Sequence, residues 1–310
     1  MSKVTVIGSG NVGSTVANVL AHKDLVNQIV LLDIQADMAK GKALDMWQQA
    51  PVDYYSTHIM GTSNYEDTAN SDIVVITAGV PRKPGMTRDD LISTNAKIVS
   101  SVTENIMKYS PNPIIIVVSN PLDVMTYVAH LKSGLPANRV FGMAGILDTA
   151  RYRAFLAEEL KVSPKDIQAV LMGGHGDTMV PLPRYTTVAG IPVTEMIAAD
   201  KLDAIVARTK DGGGELVRLM GTSAWYAPGA AAAQMVEAIL RNENRIFEVC
   251  VKLEGQYGMN DVYLGAPVKL GKNGIESVIE LQLNDAEMDL LKASAGHVKV
   301  VMDAYDALGL

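Results

Sequence analysis

Short apolar runs rich in β-branched residues recur through the first half of the chain at Val4-Ile7, Ile29-Leu32, His58-Met60, Ile73-Thr77, Ile114-Ser119 and Val140-Met143. They are mostly apolar on both faces, the pattern of strands covered on each side in a parallel sheet. Between them, helical periodicity predicts helices near residues 11–22, 36–48, 88–109 and 121–132. This strand-helix alternation predicts an α/β, Rossmann-type, doubly wound parallel sheet over residues 1–143.

The rhythm changes after about residue 145. A helix over Leu147–Leu160, a second helical region near 215–241, hairpin-like runs at 245–253 and 261–270, and a last amphipathic helix over roughly 284–307 predict a mixed α+β catalytic domain over residues 144–310. Gly212-Gly213-Gly214 reads as a hinge or turn, and Ala230–Ala233 as a close helix contact.

Composition narrows the partners. The formal net charge is -7 over 310 residues, and the cations are scattered rather than banked, which argues against nucleic acid. The 48% hydrophobic content contains no stretch of bilayer-spanning length, so no membrane is expected. One cysteine, Cys250, suits a reducing compartment, and the expectation is a cytoplasmic protein.

Gly8-Ser9-Gly10-Asn11-Val12-Gly13 follows the first strand directly and opens a helix, which places a pyrophosphate against free N–H groups at a helix amino end. Asp33, twenty positions after Gly13, ends the second strand, where a carboxylate takes a ribose hydroxyl and repels a 2′-phosphate. The expected cofactor is therefore NAD, and no metal is expected.

Gly173-Gly174-His175-Gly176-Asp177 sets a histidine among glycines, open to a ligand. An imidazole can take the hydroxyl proton when an alcohol is oxidised by hydride loss and return it on reduction. Asp148, in Leu147-Asp148-Thr149-Ala150-Arg151, is the candidate partner carboxylate, and Arg151 lies three residues on, on the same helix face. Arg151 suits bidentate binding of an acid. His22, His58, His130 and His297 read as structural.

The segment Gly79-Val80-Pro81-Arg82-Lys83-Pro84-Gly85-Met86-Thr87-Arg88 leaves a buried strand with three cations in seven positions, lid chemistry for an anionic substrate. Arg82 is the candidate for a second substrate carboxylate and Arg88 for polarising the reacting carbonyl. Asn120, in Ser119-Asn120-Pro121, either donates to a ligand or caps the following helix. Asn95 is a weaker candidate on the helix behind the lid.

Taken in this order, these segments resemble the lactate/malate dehydrogenase family over essentially the whole chain, on the side of its malate-using members of lactate-dehydrogenase-like type. The resemblance implies a proton relay by His175 with Asp148, Arg151 on the C1 carboxylate, Arg88 on the reacting oxygen, and Asn120 touching substrate and cofactor. It also implies cofactor contacts from Asn95, from Val118, Ser119 and Asn120, and from Thr222 or Ser223 near the nicotinamide. Lactate enzymes are similar but carry a neutral residue where this chain has Arg82, so the implied substrate is a small dicarboxylate.

Two other readings stay open at this level: a lactate or other 2-hydroxyacid dehydrogenase, and a non-catalytic NAD-binding module. Trp225 stands where the family pattern suggests a smaller aromatic. Family members are similar in forming dimers or tetramers, and Trp47 and Tyr54 lie in a region resembling a subunit contact.

Overall fold

The computed structural model describes residues 2–81 and 88–309. Six parallel strands, β1 (Lys3–Ile7), β2 (Gln28–Leu32), β3 (His58–Thr62), β4 (Ile73–Ile76), β5 (Ile114–Val117) and β6 (Val140–Gly142), alternate with α1 (Asn11–His22), α2 (Ala36–Asp53), α3 (Arg88–Tyr109) and α4 (Leu122–Ser133). The expected α/β class and parallel sheet are borne out. β4 and β5 are apolar at every position and fully buried, because helices cover both faces.

The second half comprises α5 (Gly145–Leu160), the two-residue strands β7 (Ile167–Gln168), β8 (Leu171–Met172), β9 (Val180–Pro181), β10 (Thr187–Val188) and β11 (Ile191–Pro192), then α6 (Ala199–Met220), α7 (Tyr226–Leu240), β12 (Arg245–Glu254), β13 (Asn260–Gly271), β14 (Gly274–Val278) and α8 (Asp285–Asp306). The antiparallel strands β12–β14 extend the parallel sheet into nine strands, in the order β14-β13-β12-β6-β5-β4-β1-β2-β3. The junction is the pairing of Cys250 with Gly142, where a Cβ on Gly142 would run into Thr126, Leu122 and Cys250. The order reverses between β1 and β4, so the sheet opens a crevice at their carboxyl ends. A smaller core, with Tyr152, Leu156, Leu171, Met179 and Ile197, lies away from this sheet.

Three local expectations change. Gly212-Gly213-Gly214 is neither hinge nor turn but part of α6, which begins at Ala199 and packs so closely that a Cβ on Gly212 would lie 3.2 Å from Arg151 Cδ. Glycine is tolerated there because side-chain-free packing offsets its poor helix propensity. The helical region expected near 215–241 is two helices, since Gly221 ends α6 with φ +70°. α2 runs past residue 48 to Asp53, with Pro51 in its last turn. The alanine run lies in α7 as expected of a close contact, with Gly229 against Thr15 of α1.

Where α5 meets β12, Glu248 is buried and accepts a hydrogen bond from Thr149 Oγ1 at 3.0 Å. Burial pushes its carboxyl up to about 7, against the lowering effects of that bond and of nearby Arg153. The folded chain thus holds this proton more tightly than the unfolded chain. The associated stability is full below the ordinary carboxyl range and is lost as pH rises through about 7. Glu248→Gln should flatten the decline in melting temperature between about pH 5 and pH 8, removing a pH-dependent contribution on the order of 2–3 kcal/mol. Parallel wild-type and variant melting curves across that range would contradict it.

Candidate active site

The dinucleotide loop closes on itself before any ligand is considered. A Cβ on Gly13 would clash with the Gly8 carbonyl, whereas a Cβ on Gly10 would meet nothing within 4 Å. The first glycine contact packs helix on strand, and the open side at Gly10 is the approach left to a phosphate. α1 starts without a side-chain cap, which leaves the N–H groups of its first turn, including those of Val12 and Gly13, for an anion. Asn11 is the first residue of that turn.

Asp33 completes this end of the crevice. Its Oδ2 accepts from Ser9 N at 2.6 Å and Ser9 Oγ at 2.9 Å, and its Oδ1 accepts from Gln35 N at 2.9 Å. Burial works against ionisation, but the bonds from Gln35 and Ser9 and the charge of Lys42 outweigh it and hold the carboxyl below its ordinary range. Lys42 also donates to the Ser9 carbonyl at 2.6 Å. Asp33, Gly8 and Gly10 line a cavity of about 580 Å³ with Ile34, Val80 and Ile98, an apolar slot beside an anionic edge. The slot, the open glycine and the uncapped helix fit the adenosine and pyrophosphate of NAD.

A second cavity of about 370 Å³ is lined by Val12, Val118, Asn120, Arg151, His175, Lys210 and Ser223 among others. His175 Nδ1 pairs with Asp148 Oδ2 at 2.8 Å, and Arg151 Nη1 donates to Asp148 Oδ1 at 3.2 Å. One buried carboxylate on the first turn of α5 therefore holds both the imidazole and the guanidinium. Burial disfavours the imidazolium, yet the charge and hydrogen bond of Asp148, with a further contribution from Asp123, raise the His175 pKa above its ordinary value. Arg151 lines this cavity, while its Nε is buried against α6 near Gly212 with no hydrogen-bond partner among the described residues.

The histidine loop is held by its backbone. Gly173 and Gly176 take φ of +86° and +105°, and Gly173 exchanges two 2.9 Å bonds with Gly265 of β13. Gly174 N donates to Ser294 Oγ of α8 at 2.8 Å, and His175 N donates to Asp123 Oδ2 of α4 at 3.0 Å.

The structure thus brings Gly8, Ser9, Gly10, Asn11, Val12, Gly13 and Asp33 to one crevice and Val118, Asn120, Asp148, Arg151 and His175 to its far end. Asn95 is buried, and its amide pairs with both polar groups of the Val80 main chain, at 2.8 and 3.1 Å, and with the Asn120 carbonyl at 2.7 Å. It ties the root of the Gly79–Arg88 segment to Asn120. Ser119 Oγ donates to the Ala78 carbonyl at 2.6 Å. The capping alternative for Asn120 fails, because α4 takes Pro121 as its N-cap without a side-chain bond. Asn120 is instead exposed at the cavity.

Ser223 lines the catalytic cavity beside Ala224. Arg82 lies outside the described residues, and Arg88 is placed only as the first residue of α3. Asp123, Ser294 and Lys42 escaped sequence reasoning. Asp123 carried one usable signal, an acid in the first turn after Asn120-Pro121, which reads equally well as dipole compensation.

Asp148→Asn removes the charge that favours the imidazolium and presents an amide to Nδ1. The alkaline limb of ketone reduction should move to lower pH, with kcat falling about 10²- to 10⁴-fold. A pH profile of kcat/KM measures both, and an unmoved limb at undiminished rate would show that Asp148 does not act on His175.

Residues 2–142 match the family model described as lactate/malate dehydrogenase, NAD binding domain, and residues 146–308 match lactate/malate dehydrogenase, alpha/beta C-terminal domain. The chain is 68% identical over 307 residues to a malate dehydrogenase of Cytophaga hutchinsonii, covering 99% of this chain and 98% of that one. Among solved structures it is similar to the malate dehydrogenase of Salinibacter ruber, with TM-score 0.96, 55% identity and coverage of 99% and 98%. The lactate dehydrogenase of Cryptosporidium parvum, solved with lactic acid and NAD, is also similar, with TM-score 0.95, 37% identity and coverage of 98% of each chain. The chain belongs to the lactate/malate dehydrogenase family.

Proposed function

We propose that the chain catalyses reversible hydride transfer between (S)-malate and NAD, giving oxaloacetate and NADH. The observation that carries this reading is the convergence of His175 and Arg151 on one buried carboxylate, Asp148, at the end of the dinucleotide crevice. Bound NAD supplies the hydride acceptor for the alcohol and, when reduced, the donor for the ketone.

His175 takes the hydroxyl proton through Nε2, the nitrogen that Asp148 leaves free, and returns it during reduction. Asp148 fixes the tautomer and stabilises the imidazolium. Arg151 receives the C1 carboxylate on a guanidinium that Asp148 already anchors at the cavity wall. Asn120 donates its amide to the substrate and its backbone, with those of Val118 and Ser119, faces the cofactor. Asn95 supports that edge through the Asn120 carbonyl. Arg88 polarises the reacting oxygen, and Arg82 receives the second carboxylate.

In the same reading, residues 1–143 form the dinucleotide-binding unit and residues 144–310 the catalytic unit. The protein works in the cytoplasm, and no helix among the described residues is long and apolar enough to cross a membrane. It assembles as a homo-oligomer, a dimer or tetramer, through a surface that includes Trp47, 40% exposed, and Tyr54, 91% exposed. Sedimentation should give a multiple of the chain mass; a monomer at working concentration would refute the assembly.

NADH consumption with oxaloacetate should exceed that with pyruvate, and faster turnover of pyruvate would sink the malate assignment. Arg82→Gln should lose about 2–4 kcal/mol of transition-state stabilisation toward oxaloacetate, one charge-assisted contact, while pyruvate turnover holds. Undiminished kcat/KM for oxaloacetate would remove Arg82 from the site.

A further inference from the structure

Asp148 holds the imidazole of His175, and a different carboxylate holds its main chain. Asp123 sits in the first turn of α4, three residues after Asn120. Its Oδ2 accepts His175 N–H at 3.0 Å, the residue is 8% exposed, and Oδ1 is buried with no hydrogen-bond partner among the described residues. The Cys250 thiol of β12 adjoins the same carboxylate, and a Cβ on Gly174 would lie 3.3 Å from Oδ2.

A helix-start acid normally stays at the surface, where water and the helix dipole both favour it. Burying a carboxylate that accepts only from one backbone N–H and the weakly donating Cys250 thiol is unfavourable unless an opposite charge lies near. That charge is the imidazolium of His175. Burial holds the Asp123 carboxyl above its ordinary range, with His175 and the Cys250 thiol only partly offsetting it, and Asp123 in turn favours protonation of His175.

Among the described residues, the charged and titratable groups around His175 are Asp148 and Arg151 of α5, Asp123 of α4 with Cys250 of β12 behind it, Asp177 in the loop itself, Lys210 and Asp211 of α6 across the cavity, and His297 of α8. Asp148 and Asp123 favour the imidazolium, and Arg151 opposes it.

We propose that Asp123 is a second positioning carboxylate of the proton carrier, fixing the His175 main chain to the turn that carries Asn120 and sharing with Asp148 the stabilisation of the imidazolium. The proposal rests on the reading of His175 as the proton carrier. It makes the start of α4 the element that sets the spacing between the Asn120 amide and the reacting nitrogen.

Asp123→Asn keeps the size and an oxygen acceptor for His175 N–H but removes the charge. The experiment measures NADH binding by fluorescence and the pH profile of kcat/KM for oxaloacetate reduction, with His175→Asn as the reference. His175→Asn should abolish turnover; if it does not, the parent reading fails.

With that reference in place, Asp123→Asn should bind NADH within about twofold of wild type while its alkaline limb moves about half a pH unit or more to lower pH. A uniform drop in kcat with the limb in place is the signature of a merely structural residue and overturns the proposal. Should Asp123→Asn fail to bind NADH, Asp123→Ser, smaller and equally uncharged, is read in the same way. If neither variant binds NADH, Asp123 is a folding residue and the proposal falls.

Discussion

The hydrogen bond between Asp148 and His175, 2.8 Å long, is the interaction on which the rest of the site depends. Its two members are separated by 27 positions in the chain and sit on different elements, so the pair exists only if each element is held in place. α5 is fixed by β12 through Gly145 and Glu248. The histidine loop is fixed by β13, α4 and α8 through its own backbone N–H groups. A mobile loop would spend the electrostatic gain on ordering, whereas here the ordering is provided by folding.

The site solves an electrostatic problem set by composition. A chain of net charge -7 that takes a dianion must gather its cations locally and keep its acids occupied. Asp148 is divided between Arg151 and His175, and Asp33 is divided between Ser9 and Gln35. Arg151 keeps a place on the cavity wall while Asp148 anchors its guanidinium. The glycines of α6 extend the same logic, since only a helix face without side chains can approach that guanidinium.

Much of this was legible in the residues. Parallel strands betray themselves by apolar runs, and β1, β2, β4 and β5 lie where those runs predicted them, within a residue or two at the ends. The glycine loop with Asp33, and the set of Asp148, Arg151 and His175, were identifiable because phosphate and proton chemistry demand particular residue types at particular spacings. The two-residue strands β7–β11 left no pattern, since so short a run carries no periodicity, and β14, Gly274-Ile275-Glu276-Ser277-Val278, is neither an apolar run nor a strict alternation. The course of α6 through three glycines ran against local propensity, and only its contact with Arg151 explains it.

By itself, then, the sequence determined which side chains were available, the α/β class, and the cofactor chemistry, because these follow from local pattern and from residue type. Tertiary structure alone decided that Asp148 faces His175, that Asn95 serves the backbone of Val80 and Asn120, and that Asp123 reaches the histidine loop. Such contacts join elements far apart in the chain, and their geometry is set by how helices seat on the sheet. No one-dimensional spacing encodes a hydrogen bond between residues 52 positions apart.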